Sequence, residues 1–163
     1  DQLVLFIGAG VSINSGMPSW KDAVQHIGNL LGLDKIENSD YLKIPQYYYN
    51  SHGKQAYNTL MREIFKDGIK LPVSDIHRKV LRFNARSIIT TNYDDLIERA
   101  SEEYGEIRQI ISQDKDIPYR KYNKELIKMH GDFAHDNFVL KEEDYLNYSE
   151  NFKLIENYIN HRI

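Results

Sequence analysis

Apolar residues fall along this chain in two recurring patterns. Short apolar-rich runs at residues 3–7 (Leu-Val-Leu-Phe-Ile), 87–90 (around Ile88 and Ile89), 107–111 and 126–129 read as β-strands, the first, which is unbroken, as a buried one. Between them, apolar positions recur at helical spacing. Residues 21–31 carry Ala23, Val24, Ile27, Leu30 and Leu31 and close at Gly32, a helix-terminating glycine. A short helix over 45–51 is separated by Gly53 from a helix over 54–65, which stacks Ala56, Leu60, Ile64 and Phe65. Pro72 and Ser74 announce a helix over 75–83 with Ile76, Val80, Leu81 and Phe83. Leu96, Ile97 and Ala100 share one face of a helix over 94–104, and helical patterns return at 142–148 and 152–162. Residues 33–44 and 112–124 read as loops, the second interrupted by Pro118, and 138–140 fit either strand or turn.

Short strands alternating with helices predict an α/β fold with a mainly parallel sheet and helices on both faces. Ligands of such sheets bind beyond the carboxyl ends of the strands. Three segments of unusual composition stand at such ends: residues 8–18 (Gly-Ala-Gly-Val-Ser-Ile-Asn-Ser-Gly-Met-Pro), 90–94 (Thr-Thr-Asn-Tyr-Asp) and 129–132 (Met-His-Gly-Asp). The pattern stops in an amphipathic helix with Ile155 and Ile159 apolar, and the chain is read as a C-terminally truncated fragment of a longer protein.

Each segment has a plain reading beside a chemical one. Gly8-Ala9-Gly10 fits a phosphate cradle at a helix start, where no Cβ blocks an anion, and fits equally a structural strand-to-helix turn. It lacks the third glycine of a dinucleotide fingerprint, since position 13 is Ile13, and lacks the Gly-Lys-Ser/Thr of a P-loop. Asn92 fits a helix cap, Asp94 and Asp132 fit turn acids, and His130 fits either a buried histidine or a proton acceptor at neutral pH.

Composition narrows the field. The formal net charge of −3 argues against nucleic-acid binding, and no apolar run approaches the roughly 20 residues of a membrane span. No cysteine is present, which excludes disulfides and cysteine-based zinc sites, and the six histidines show no metal-ligand spacing. Tyr47-Tyr48-Tyr49, part of a set of 12 tyrosines, reads as a half-buried helix face beside a groove.

Taken together and in order, Gly8-Ala9-Gly10-Val11-Ser12 with Ser15-Gly16-Met17-Pro18, then Thr91-Asn92-Tyr93-Asp94, then Met129-His130-Gly131 resemble the three signature segments of the sirtuin (silent-information-regulator) NAD-binding fold. The resemblance runs from Leu3 to about Tyr148. Residues 90–98, 128–132 and 139–145 are more specifically similar to the sirtuin-like domains of bacterial anti-phage defence proteins, including the NAD-hydrolysing Thoeris effectors. Departures from the deacylating sirtuins are clear: Thr91 stands where those have Gln, their Arg near Ser19-Trp20 is missing, and no four-cysteine zinc module follows His130-Gly131.

The resemblance implies a Rossmann-like domain over 1–163 whose substrate is NAD, with no metal. It implies cleavage of the nicotinamide–ribose bond to nicotinamide and ADP-ribose or a cyclic form, in the cytoplasm and in defence against phage. It places Asn92 and His130 in catalysis, and Gly8, Ala9, Gly10, Ser12, Pro18, Trp20, Thr91 and Asp94 around the dinucleotide. Asn92 orients the ribose and the attacking water, His130 serves the ribose hydroxyls or acts as base, and Asp94 holds the nicotinamide carboxamide. Implied partners are further domains of the parent chain or an activating signal or protein, with homo-oligomerisation open. NAD-dependent deacylation and non-catalytic NAD or ADP-ribose sensing are the alternative functions.

Overall fold

A computed structural model describes residues 3–119 and 121–161. The expected helix end at Arg162 lies outside the described residues, as do Arg120 in the loop expected over 112–124 and both termini of the domain expected over 1–163. The chain runs β1 (Val4–Ile7), α1 (Gly10–Ile13), α2 (Trp20–Leu30), α3 (Lys43–Ile64), α4 (Asp75–Arg82), β2 (Ser87–Thr90), α5 (Leu96–Glu103), β3 (Arg108–Ile111), β4 (Lys124–Lys128), α6 (Glu142–Leu146), α7 (Tyr148–Asn151) and α8 (Lys153–Asn160). All strand pairs are parallel, and the sheet order is β1-β2-β4-β3.

The two faces of the strands explain the two layers. On one side Ile88 and Leu126 pack with Ala23, Val24 and Ile27 of α2, Leu60 and Met61 of α3, Leu81 of α4 and Leu96 and Ile97 of α5. On the other side Ile89, Ile111 and Ile127 meet Phe152 and, from α8, Ile155 and Ile159. Burying each of the α8 isoleucines stabilises the fold by about 1.5–3 kcal/mol on transfer scales. Sheets buried on both faces have apolar residues at successive strand positions, and all four residues of β2 are buried.

The sequence expectations for α2, for the Gly53 break and for the Ser74 helix start hold. Gly53 (φ +81°) kinks α3 into two helical segments. Several expectations are corrected. The first strand is not buried: β1 is an edge strand, and Phe6 is 60% exposed, on a face where Val4 packs against the α8 cluster and Phe6 does not. Phe83 and Leu30 sit at helix ends and face outward instead of joining the core. The helix expected from Asp94 begins at Leu96, because the Asp94 carboxylate turns back to accept the Leu96 N–H at 3.0 Å. The segment expected as loop over 112–124 contains a 3₁₀ turn at Asp114–Tyr119, and β4 begins at Lys124. Residues 138–140 form no strand; their backbone is pinned by Val139 N–H donating to the His130 carbonyl (2.9 Å) and by the Tyr93 hydroxyl donating to Val139 O (2.5 Å). No helix among the described residues is long and apolar enough to cross a membrane.

Candidate functional site

Register places the three unusual segments side by side. Ile7, Thr90 and Lys128 are level across β1, β2 and β4, so the chain leaves three adjacent strands at one height. A cleft of about 280 Å³ opens there. Its floor is Thr91, Asn92, Tyr93 and Asp94; Ala9 and Ser12 form one wall with Met17, Pro18 and Trp20; His130 and Tyr145 form another, with Phe65 closing the end.

Eight of the ten expected site residues line this cleft: Ala9, Ser12, Pro18, Trp20, Thr91, Asn92, Asp94 and His130. Gly8 and Gly10 do not line it. Gly8 contributes its carbonyl, which accepts the Asn92 side-chain amide at 3.3 Å. Gly10 opens α1, and a Cβ there would meet nothing within 4 Å. The α1 turn spends two of its own N–H groups internally, Val11 N–H on Gly8 O and Ser12 N–H on Ala9 O.

Asn92 does not cap a helix. Its backbone N–H donates to Thr90 Oγ1 (3.1 Å), and its amide nitrogen donates to Gly8 O and to Ser12 Oγ (3.1 Å). A carbonyl can only accept, so these contacts fix which end of the amide is nitrogen. Asn92 Oδ1 is then buried without a partner among the described residues. A buried carbonyl oxygen left unsatisfied costs about 1–3 kcal/mol, and such a group at the floor of a cleft is an acceptor waiting for a ligand donor.

His130 is half-buried, with the ring of Tyr145 edge-on at 5.6 Å and that of Tyr148 at 6.4 Å. Desolvation holds its pKa down to about 4, so the ring is neutral at pH 7. The next residue, Gly131, is required by geometry: φ is +73°, and a Cβ would lie 2.4 Å from the Asn137 carbonyl oxygen. Asp132 is a turn acid, accepting from His135 N–H at 3.0 Å.

Behind the floor, Lys128 donates to the carbonyls of Tyr93 (3.4 Å) and Asp94 (2.8 Å) and pairs with Glu98 at 2.6 Å. Burial pushes the Glu98 carboxyl up, opposed by Lys128. This pair escapes sequence reasoning, because a lysine inside a strand run gives no sign of its partner. Of the other lining residues, Phe65 reads in the sequence only as an apolar helix position and Tyr145 only as the end of the 139–145 similarity, neither as a site residue. Among the tyrosines expected beside a groove, Tyr47 is exposed, while Tyr49 lines a second, polar cleft and lies under the Lys141 ammonium, 4.7 Å from its ring centroid.

Parallel strands, flanking helices and a cleft at three strand ends define a Rossmann-like α/β fold, and a SIR2-like domain family matches residues 86–163. Over those residues the chain is similar to SIR2-like, sirtuin-type domains. It is 40% identical over 164 residues to the defense-associated sirtuin 2 of Bacillus subtilis, covering 96% of this chain and 16% of that protein. It is 32% identical to the NAD(+) hydrolase ThsA of Bacillus cereus (91% of this chain, 32% of that protein) and 30% identical to the ThsA of Cytobacillus dafuensis (94% and 31%). The chain spans at most about a third of the length of these relatives.

Proposed function

We propose that this domain is the catalytic part of an NAD glycohydrolase of anti-phage defence, cleaving the nicotinamide–ribose bond. The observation that carries the reading is the orphaned, buried Oδ1 of Asn92, a residue that lines the same cleft as a neutral His130. Relatives named NAD(+) hydrolase and defense-associated sirtuin align over at least 90% of the chain, which supports the same activity and setting.

The cleft of about 280 Å³ suits the nicotinamide–ribose half of a dinucleotide, with the diphosphate passing the Gly8–Ser12 turn. Nothing inside the fold demands a glycine at position 10, which is consistent with leaving room for an anion there. Asp94 and Thr91 hold the nicotinamide end, and Pro18 and Trp20 cover it. Asn92 Oδ1 accepts from a ribose hydroxyl or from the attacking water, aligning it with the anomeric carbon. In the reaction the C–N bond breaks, its electron pair leaves with neutral nicotinamide, and a C–O bond forms to water through an oxocarbenium-like transition state. His130, uncharged before reaction, takes the proton released by that water.

The absence of cysteine removes the zinc module that shapes the peptide cleft of deacylating sirtuins, so hydrolysis is favoured over deacylation and the enzyme is read as zinc-free. The greater length of the relatives supports further domains in the parent protein, which we place in the cytoplasm and under the control of a separate activating signal or partner. The test is nicotinamide release from NAD by the full-length protein, lost in Asn92→Ala and His130→Ala with the melting temperature retained. Stoichiometric acetyl-ADP-ribose from an acetyl-lysine peptide would instead assign a deacylase.

A further inference from the structure

Beneath the cleft lies a histidine that the reaction as described above does not use. His77 is fully buried, at the third position of α4, and its ring spans from the start of that helix to Ser12. Its Nδ1 receives the backbone N–H of Ser74 at 3.2 Å and lies 2.8 Å from the Ser74 hydroxyl. Its Nε2 lies 3.5 Å from Ser12 Oγ, at the long end of a direct hydrogen bond.

The direction of every bond in this chain follows from one fact. A backbone N–H can only donate, so Nδ1 of His77 must accept, and a neutral ring accepting at Nδ1 carries its proton on Nε2. That proton points at Ser12 Oγ, the acceptor within reach of this fully buried ring. Ser12 Oγ then accepts twice, from His77 and from the Asn92 amide at 3.1 Å. Its own proton is left to the remaining direction, and Ser12 lines the cleft. The Asn92 amide, spent on Gly8 O and Ser12 Oγ, is held with Oδ1 as its free acceptor. Burial also holds the His77 pKa below the ordinary histidine value, in keeping with a neutral ring.

We infer that His77 is a positioning residue for the cleft, a tautomer-locked donor that, through Ser12, fixes the side-chain amide of Asn92 with its oxygen toward substrate and turns the Ser12 hydroxyl proton toward a substrate oxygen. The inference rests on the reading of Asn92 as a catalytic residue. The lock is the N-terminal cap of α4: Ser74-x-x-His77 is a capping box in which histidine stands where Glu or Gln is usual. Gln at this position can accept the Ser74 N–H with its oxygen and donate to Ser12 with its nitrogen. Met fills a similar volume and does neither.

The experiment compares His77→Gln and His77→Met in the full-length protein, with Asn92→Ala as control, by NAD turnover and melting temperature. His77→Met lowers kcat about tenfold, the kinetic equivalent of one lost hydrogen bond, with little change in KM. His77→Gln recovers most of that loss. Equal kcat in the two variants, tracking only their melting temperatures, would reduce His77 to packing and overturn the inference. Undiminished turnover in Asn92→Ala would overturn the functional reading instead. A second measurement is independent of any activity: ring-¹⁵N spectra of the protein at pH 7 show His77 protonated on Nε2 alone. A ring protonated on Nδ1, whether neutral or as imidazolium, contradicts the lock.

Discussion

The side-chain nitrogen of Asn92 lies 3.3 Å from the carbonyl oxygen of Gly8, tying the end of β2 to the end of β1 across a separation of 84 residues. That contact, with Ser12 as the second acceptor, orients an amide that is otherwise free to flip. It also explains why the glycine turn and the Thr-Thr-Asn-Tyr-Asp segment belong to one structural unit. Any change that moves the β1 turn moves the asparagine with it.

Gly131 offers a test of how tightly the other side of the cleft is built. Gly131→Ala forces a Cβ into the Asn137 carbonyl and holds a non-glycine residue at positive φ. A loss of at least about 1–3 kcal/mol is expected for the backbone strain alone, and the contact adds to it. Chemical denaturation measures the loss. Because His130 is the preceding residue, turnover falls further than the loss of folded protein explains.

Lys128 and Glu98 test the floor. Removing only the lysine, as in Lys128→Met, leaves a buried carboxylate without its cation and frees the carbonyls of Tyr93 and Asp94. Breaking such a pair costs about 3–5 kcal/mol, whereas replacing both partners by apolar residues is far less costly. The double variant Lys128→Met with Glu98→Leu is therefore expected to melt above the single Lys128→Met variant, and a thermal melt decides it.

The pH dependence follows from His130. Its folded pKa, about 4, is below the ordinary value near 6.5 that it has when unfolded. Between those values the unfolded chain binds more protons than the folded one, so stability is fully present above about pH 6.5 and declines as pH falls toward 4. His77, depressed in the same direction by burial, adds to the decline. His130→Gln flattens the profile over this window, as read by denaturant midpoints at successive pH values. A midpoint that rises on acidification would contradict the burial of both rings.

Much of this architecture was legible in the sequence because its signals are local. The Ile88-Ile89 pair flanked by β-compatible Ser87 and Thr90 marks a short strand, and Ser74 and Gly53 mark a helix start and a kink by their own backbone chemistry. The three motif segments were legible as strand ends for the same reason. What stayed hidden depends on long-range packing. Phe6 reads as core in a run of five apolar residues, and only the sheet order places it on an outer edge. Asn92 reads as a helix cap because it stands just before a helical pattern, but the helix starts at Leu96 and the Asp94 carboxylate takes the Leu96 N–H. His77 reads as one polar position in an amphipathic helix, since its link to Ser12 spans 65 residues.

The central claim is that Asn92 and His130 form one NAD-cleaving site, and nicotinamide release from NAD by the activated full-length protein tests it most directly. The account predicts release by the parent protein and its reduction by about a hundredfold or more in both Asn92→Ala and His130→Ala, each still folded. Turnover at the parental rate in either folded variant would contradict it.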